Sequence, residues 1–244
     1  MELAGRVALV TGGAVRLGAA ISRAFADAGA GVVVHYRSSA AEAQALAGQI
    51  RAAGGRAWTV EGDLGTEAAA TRLIDAAQAQ AGRLDILVNN AAVFHKQRLA
   101  DSTEEAIAAE FGPNLFAPWH LMRAFVAERT GGRIVNILDR RIASHDASCV
   151  PYLISKKALA ELTALAALEW APRFTVNAVA PGPILPPPGE GPAYLREQGG
   201  RVPLEIACTP EQVAEAVVYL ARSDALTGNT LFVDGGQHLL GNGV

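Results

Sequence analysis

Aromatic side chains are scarce in this chain, at 6% of its 244 residues, while glycine alone contributes 25 and alanine recurs throughout. Small side chains in such number favour close packing of helices on a sheet. Cysteine is nearly missing. Cys149 and Cys208 are the two present, and they lack metal-ligand spacing, so no metal site is expected. A disulfide between them stays open, with free thiols in a reducing compartment the expectation. No charge of one sign dominates: 21 basic and 24 acidic residues are mixed along the chain, for a formal net charge of −3. That pattern excludes the basic stripe of a nucleic-acid binder. No apolar run is long enough to span a bilayer. The opening Met1-Glu2-Leu3-Ala4-Gly5-Arg6 lacks the apolar stretch and small-residue cleavage site of a secretory signal. A cytoplasmic protein without membrane or nucleic-acid partners is expected.

What is present is a hydrophobic half of the sequence (50%), enough for a large core. Short apolar runs predict strands at Arg6–Thr11, Gly31–Tyr36, Ala57–Glu61, Leu84–Asn89, Arg133–Leu138, Thr175–Ala180 and Leu231–Val233. They are continuously apolar rather than alternating, as in strands buried on both faces. Helical segments are predicted near Leu17–Ala28, Ala40–Ala53, Glu67–Ala81, Asn114–Glu128, Tyr152–Trp170 and Glu211–Ala221. This alternation implies an α/β fold: one Rossmann-type, doubly wound domain over residues 1–244, with about seven parallel strands and helices on both faces. No composition shift marks a linker, and no internal repeat is found. The stretch 181–210 lacks periodicity, and six of the twelve prolines lie between its ends, including Pro186-Pro187-Pro188. It is read as a substrate-covering loop, with an inert surface excursion as the alternative.

The first strand runs into Thr11-Gly12-Gly13-Ala14-Val15-Arg16-Leu17-Gly18. Glycines at a strand-to-helix turn let the backbone approach a pyrophosphate, and the helix N-terminus adds amide donors and a favourable dipole. A glycine-rich turn alone says little. Between a buried strand and a helix it says more.

Further motifs follow in order: Gly62-Asp63-Leu64, Asn89-Asn90-Ala91-Ala92, Asn114, Tyr152-Leu153-Ile154-Ser155-Lys156, Pro181-Gly182 and Asp234-Gly235-Gly236. With the glycine turn, this series resembles the classical short-chain dehydrogenase/reductase family over nearly the whole chain. The resemblance implies an oxidoreductase. Gly12, Arg16, Leu17 and Gly18 would form the phosphate turn. Asp63 and Leu64 would lie at the adenine, and Asn90, Ala91, Pro181 and Gly182 along the cofactor toward its nicotinamide end. Ala92 departs from the family's usual glycine. Asn114 would support a proton-relay water, and Lys156 would hold the nicotinamide ribose. The family commonly forms tetramers, so a homotetramer is expected.

The end of the second strand selects the coenzyme. An acid there binds the ribose hydroxyls of NAD. Tyr36 stands in its place, followed by Arg37, Ser38 and Ser39. No carboxylate repels a 2′-phosphate, and Arg37 and Arg16 can pair with one. NADPH is the expected cofactor.

Tyr152 and Lys156 are four residues apart, one turn apart on one helix face. Tyr152 is the candidate proton donor, and a nearby ammonium is expected to lower its pKa. Thirteen positions before it, where the family usually has serine, stands Asp139. A serine hydroxyl can donate to a carbonyl, whereas an ionised carboxylate only accepts. Asp139 therefore suits a substrate with N–H donors, or a carboxyl held protonated by its pocket. It would also keep Tyr152 protonated. The alternative is that Asp139 turns away and Ser144 or Ser148 serves. This pattern resembles one branch of the family, the pteridine and dihydromonapterin reductases. They share the aspartate–tyrosine–lysine set, an arginine in the glycine turn, and a His-Tyr ending the second strand. His35-Tyr36-Arg37-Ser38-Ser39 fits, with its basic residue displaced by one. Phe94 stands where that branch stacks a pterin ring, although a loop-anchoring role also fits. The expected substrate is a small pterin bound by Phe94, Asp139 and Tyr152. The alternatives are a ketone or 3-oxoacyl thioester substrate, or a non-catalytic NADPH-binding regulator. The proline-rich loop departs from a typical pteridine reductase, which bears on the substrate.

Overall fold

Seven strands form one parallel sheet in the order β3-β2-β1-β4-β5-β6-β7, in a computed structural model that describes residues 2–127, 129–186, 189–191 and 193–240. The strands are β1 (Val7–Val10), β2 (Gly31–Tyr36), β3 (Ala57–Glu61), β4 (Ile86–Asn89), β5 (Gly132–Ile137), β6 (Phe174–Pro181) and β7 (Thr230–Val233). The helices are α1 (Arg16–Asp27), α2 (Ala40–Ala52), α3 (Glu67–Ala81), α4 (Glu104–Phe111), α5 (Ala117–Ala127), α6 (Val150–Trp170), α7 (Ala193–Gln198) and α8 (Pro210–Arg222).

The continuous apolar strands have a direct explanation. Successive side chains point to opposite faces, and both faces are covered. Ala8, Val10, Val32, Val34, Ile86 and Val88 pack under α1, α2 and α8. Val7, Leu9, Val33, Leu87, Ile134 and Val176 pack under α3, α5 and α6. Strand order reverses between β1 and β4, which opens a crevice at the carboxyl ends of the strands.

The seven predicted strands occur within one or two residues at their ends. The helices differ in two places. The segment expected to start a helix at Asn114 is the middle of a longer one: α4 passes through a π turn (Gly112–Phe116) into α5. Pro113 lacks an N–H and its ring crowds the preceding carbonyls, and the wider turn accommodates both. The predicted end at Glu128 lies outside the described residues. The stretch 181–210 is not wholly irregular, since it holds α7, while Pro187 and Pro188 lie outside the described residues. Both cysteines are free thiols. No helix among the described residues is long and apolar enough to cross a membrane.

Candidate active site

The glycine turn sits at the switch point of the sheet. Gly12 adopts a positive φ of 58°, which an L side chain rarely tolerates. At Gly18 a Cβ would fall 2.0 Å from the Gly12 carbonyl oxygen, so helix and turn can close only without a side chain. The first turn of α1 has no side-chain cap and no acidic residue, which leaves its N–H groups to a ligand. His35 supports the turn from beneath. Its Nδ1 accepts from Gly12 N–H at 3.0 Å, so Nε2 carries the proton and donates to Gly62 O at 3.1 Å. Burial lowers the His35 pKa to about 4, which keeps that ring neutral. Asn90 closes the other side, donating to Thr11 O at 2.8 Å and Gly12 O at 3.2 Å.

Around this turn the structure gathers the residues read as cofactor ligands. Tyr36 ends β2, half-buried, with Arg37 and Ser38 exposed beyond it. Asp63 and Leu64 follow β3, Asn90 and Ala91 follow β4, and Pro181 and Gly182 lie at the end of β6. Leu17 packs against the core beneath the turn. Arg16 donates from Nη2 to Pro186 O at 2.7 Å, so the proline-rich loop lies against the glycine turn.

A second group lies beyond the ends of β4 and β5. Tyr152 and Lys156 occupy one face of α6, both buried. The Tyr152 hydroxyl donates to Asp139 Oδ2 at 2.9 Å. Asp139 thus faces the site, while Ser144 contacts Arg141 O and Ser148 contacts Asp146. Phe94 meets the Tyr152 ring edge-on, with centroids 4.8 Å apart, and is 42% exposed at the mouth. Asn114, fully buried in the π turn, accepts from Val93 N–H at 2.9 Å and donates to Val93 O at 3.0 Å.

One electrostatic expectation needs correction. The Tyr152 phenol lies above its ordinary value and not below it. The Lys156 ammonium donates to Ile137 O at 2.8 Å, and the phenol is pushed well up by burial first and by Asp139 second. Asp139 itself is paired with Arg141. Arg141 donates to Oδ1 through its main-chain N–H at 2.8 Å and pairs with Oδ2 at 3.0 Å. The same guanidinium reaches Asp146 at 3.2 Å and lies 5.6 Å from the Phe94 centroid. Sequence reasoning missed Arg141, whose only signal was its place two residues after Asp139. It also missed Glu110, a buried acid bonded to His95 and Asn114. Lys156 is pulled down to about 8 by burial, with Asp139 and Glu110 acting against that fall.

A buried hydroxyl donor on α6, a lysine one turn on and a glycine turn open to a ligand across the crevice are groups that could serve an oxidoreductase. Comparison with known proteins agrees. Residues 13–238 match the family model described as Enoyl-(Acyl carrier protein) reductase. An uncharacterized oxidoreductase of Mycobacterium tuberculosis is 40% identical, over 95% of this chain and 91% of that protein. Pteridine reductase 1 of Leishmania tarentolae is 35% identical, over 96% of each. The crystal structure of FolM alternative dihydrofolate reductase 1 from Brucella canis, complexed with NADP, superposes with a TM-score of 0.91. It is 34% identical, over 98% of this chain and 96% of that one. The chain belongs to the short-chain dehydrogenase/reductase family of oxidoreductases. Within that family the matches support the pteridine reductase-like branch.

Proposed function

We propose that this protein is an NADPH-dependent reductase of a small pterin, of the dihydromonapterin, dihydrobiopterin or dihydrofolate type. The observation that carries the reading is the 2.9 Å hydrogen bond from Tyr152 to Asp139 beside the partly exposed Phe94 ring. It sets a proton donor and an acceptor for substrate N–H groups next to an aromatic surface for a flat ring.

The residues present fit the coenzyme. The uncapped start of α1 and the side-chain-free approach at Gly12 and Gly18 suit a pyrophosphate. Arg37 and Ser38, exposed with no acid among them, suit a 2′-phosphate, and Arg16 in the glycine turn adds a further cation. Bound there, NADPH would supply the hydride. Tyr152 then donates its proton to the substrate, which a phenol held protonated is suited to do. Lys156 would hold the nicotinamide ribose hydroxyls, and Asn114 would support the water that resupplies the proton. Asp139 orients the substrate, and Arg141 holds Asp139. Association into a homotetramer would use the exposed Trp119 of α5 and Leu165 and Leu168 of α6. The free thiols fit a cytoplasmic setting.

Reduction of a ketone or 3-oxoacyl thioester is the second reading. Arg141 favours it, because a guanidinium on Asp139 offsets the repulsion of a developing alkoxide. The test is coenzyme oxidation with dihydropterins, quinonoid pterins, dihydrofolate and 3-oxoacyl thioesters, using NADPH and NADH in parallel. Turnover of a pterin with NADPH ahead of NADH is expected. Turnover of thioesters alone would replace the substrate assignment, and equal use of both coenzymes would remove the role of Arg37.

A further inference from the structure

Three chain segments meet on the substrate side of the crevice. The first is the loop after β4 that carries Phe94. The second is the tight helical turn after β5 (Arg140–Ala143), which Asp139 caps. The third is the approach to α6. A main-chain bond joins the first and third, from Val150 N–H to Gln97 O at 2.8 Å. Arg141 reaches all three. Its main-chain N–H and Nη1 hold Asp139 Oδ1 and Oδ2 at 2.8 and 3.0 Å. Its Nε donates to Asp146 Oδ2 at 3.2 Å, and its guanidinium lies 5.6 Å from the Phe94 centroid. Asp146 is bonded in turn to the approach to α6, where its Oδ1 accepts from the Ser148 main-chain N–H and hydroxyl at 2.9 and 2.6 Å.

We propose that Arg141, braced by Asp146, is a positioning residue that sets Asp139 and Phe94 in register with the Tyr152 hydroxyl. It acts on a substrate only through them. The proposal rests on the roles given to Asp139, Phe94 and Tyr152 above, and it holds for a pterin or a thioester alike. Balancing the charge of Asp139 needs only one contact. A second carboxylate on Nε fixes the plane of the guanidinium, and a planar, rigid fork then fixes the carboxylate at its other end. The oxygen so held is the one that matters, because Oδ2 receives both Arg141 Nη1 and the Tyr152 hydroxyl. The cation beside the Phe94 ring adds a directional attraction that places the aromatic edge of the site. Stability is the weaker reason for such an arrangement. The Arg141 and Asp146 side chains are 29% and 33% exposed, and ion pairs open to solvent add little to folding.

The first test needs neither coenzyme nor substrate. In a crystal structure of Arg141→Met the Asp139 carboxylate should leave the Tyr152 hydroxyl, opening that contact beyond about 3.5 Å. Asp139 and Phe94 unmoved in that variant would overturn the proposal. The second test is a double-mutant cycle, run on whichever pterin or thioester the unmodified protein reduces. Arg141→Met should lower kcat/KM about ten- to fiftyfold, with NADPH affinity by fluorescence titration unchanged. Arg141→Lys should recover part of that loss, since an ammonium keeps the charge but cannot hold both carboxylates in one plane. Asp146→Asn leaves the cation in place and should cost about two- to fivefold, so it serves if Arg141→Met fails to fold. In an Asp139→Ser background Arg141→Met should cost about threefold or less, the remainder coming from Phe94. A merely structural tie would lower the melting temperature and cost the same factor in both backgrounds, which would also overturn the proposal. Lack of pterin turnover by the unmodified protein would count only against the substrate assignment.

Discussion

The two sides of the crevice are built from different materials. On the coenzyme side, main-chain and neutral groups hold the turn: Gly12 N–H on the neutral His35, Asn90 on the Thr11 carbonyl, and the Thr11 hydroxyl accepting from Asn90 and Ala91 N–H at 2.9 and 3.0 Å. On the substrate side, charged groups interlock: Arg141 with Asp139 and Asp146, and the buried Glu110 with His95 and Asn114. The first arrangement offers a fixed shape and leaves charge to its ligand. The second shares each charge among several partners, so one substitution should alter several properties together. Mutations on the substrate side should therefore change pH profiles as well as rates. On the coenzyme side, perturbation should appear chiefly as altered affinity and stability.

The sharpest break is Tyr152→Phe. It removes the proton donor while leaving the ring against Phe94. Turnover should fall roughly a hundred- to ten-thousandfold, with NADPH binding by fluorescence titration unchanged. Near-normal turnover would move the acid role to another group. Asp139→Ser comes next. Pterin reduction should fall about ten- to a hundredfold, the worth of one charge-assisted hydrogen bond. Reduction of simple ketones should rise or appear, because a hydroxyl can donate to a carbonyl. The change also removes a charge that raises the Tyr152 pKa, so the pH–rate profile should move to lower pH. An unchanged rate and profile would take Asp139 out of the site.

How much of this was legible in the sequence follows from the same contrast. The strands and the glycine turn could be read because their determinants are local: β-branched runs covered on both faces, and glycines where no side chain fits. Asp139 could be read because its partner Tyr152 lies at a family spacing. The helix through Asn114 was read short because Gly112 and Pro113 are breakers in isolation, and only packing carries the chain through a π turn. Arg141 and Glu110 were missed because their partners are set by folding. His95 and Glu110, for instance, are fifteen residues apart and on different elements. Asp139 could be read as keeping Tyr152 protonated, but the larger cause of the upward shift, burial, depends on the finished fold.

The smallest effect concerns His35 and tests the coenzyme side alone. Its imidazole has an ordinary pKa of 6.5 and is lowered to about 4 in the fold, mainly by burial, with the Gly62 contact and Asp63 acting the other way. Protonation would put a hydrogen on Nδ1, facing the Gly12 N–H that it now accepts. The unfolded chain takes up a proton at higher pH than the folded one, so stability rises with pH between these values. The contribution is complete above about pH 6.5, is lost as pH falls toward about 4, and levels off below that. From pH 7 to pH 5 this residue alone should cost about 2 kcal/mol, or roughly thirtyfold in the folding equilibrium. His35→Asn isolates the effect. Its amide oxygen can replace Nδ1 as acceptor for Gly12 N–H but cannot titrate. The variant should be less stable at pH 7 by about 1 kcal/mol for the lost Gly62 contact. Its further loss between pH 7 and pH 5, measured by urea unfolding, should be smaller than that of the unmodified protein by about 2 kcal/mol. Equal losses in the two proteins would mean that His35 takes up its proton in the folded state as readily as in the unfolded chain. The glycine turn would then not depend on a neutral imidazole, and both sides of the crevice would rest on charge.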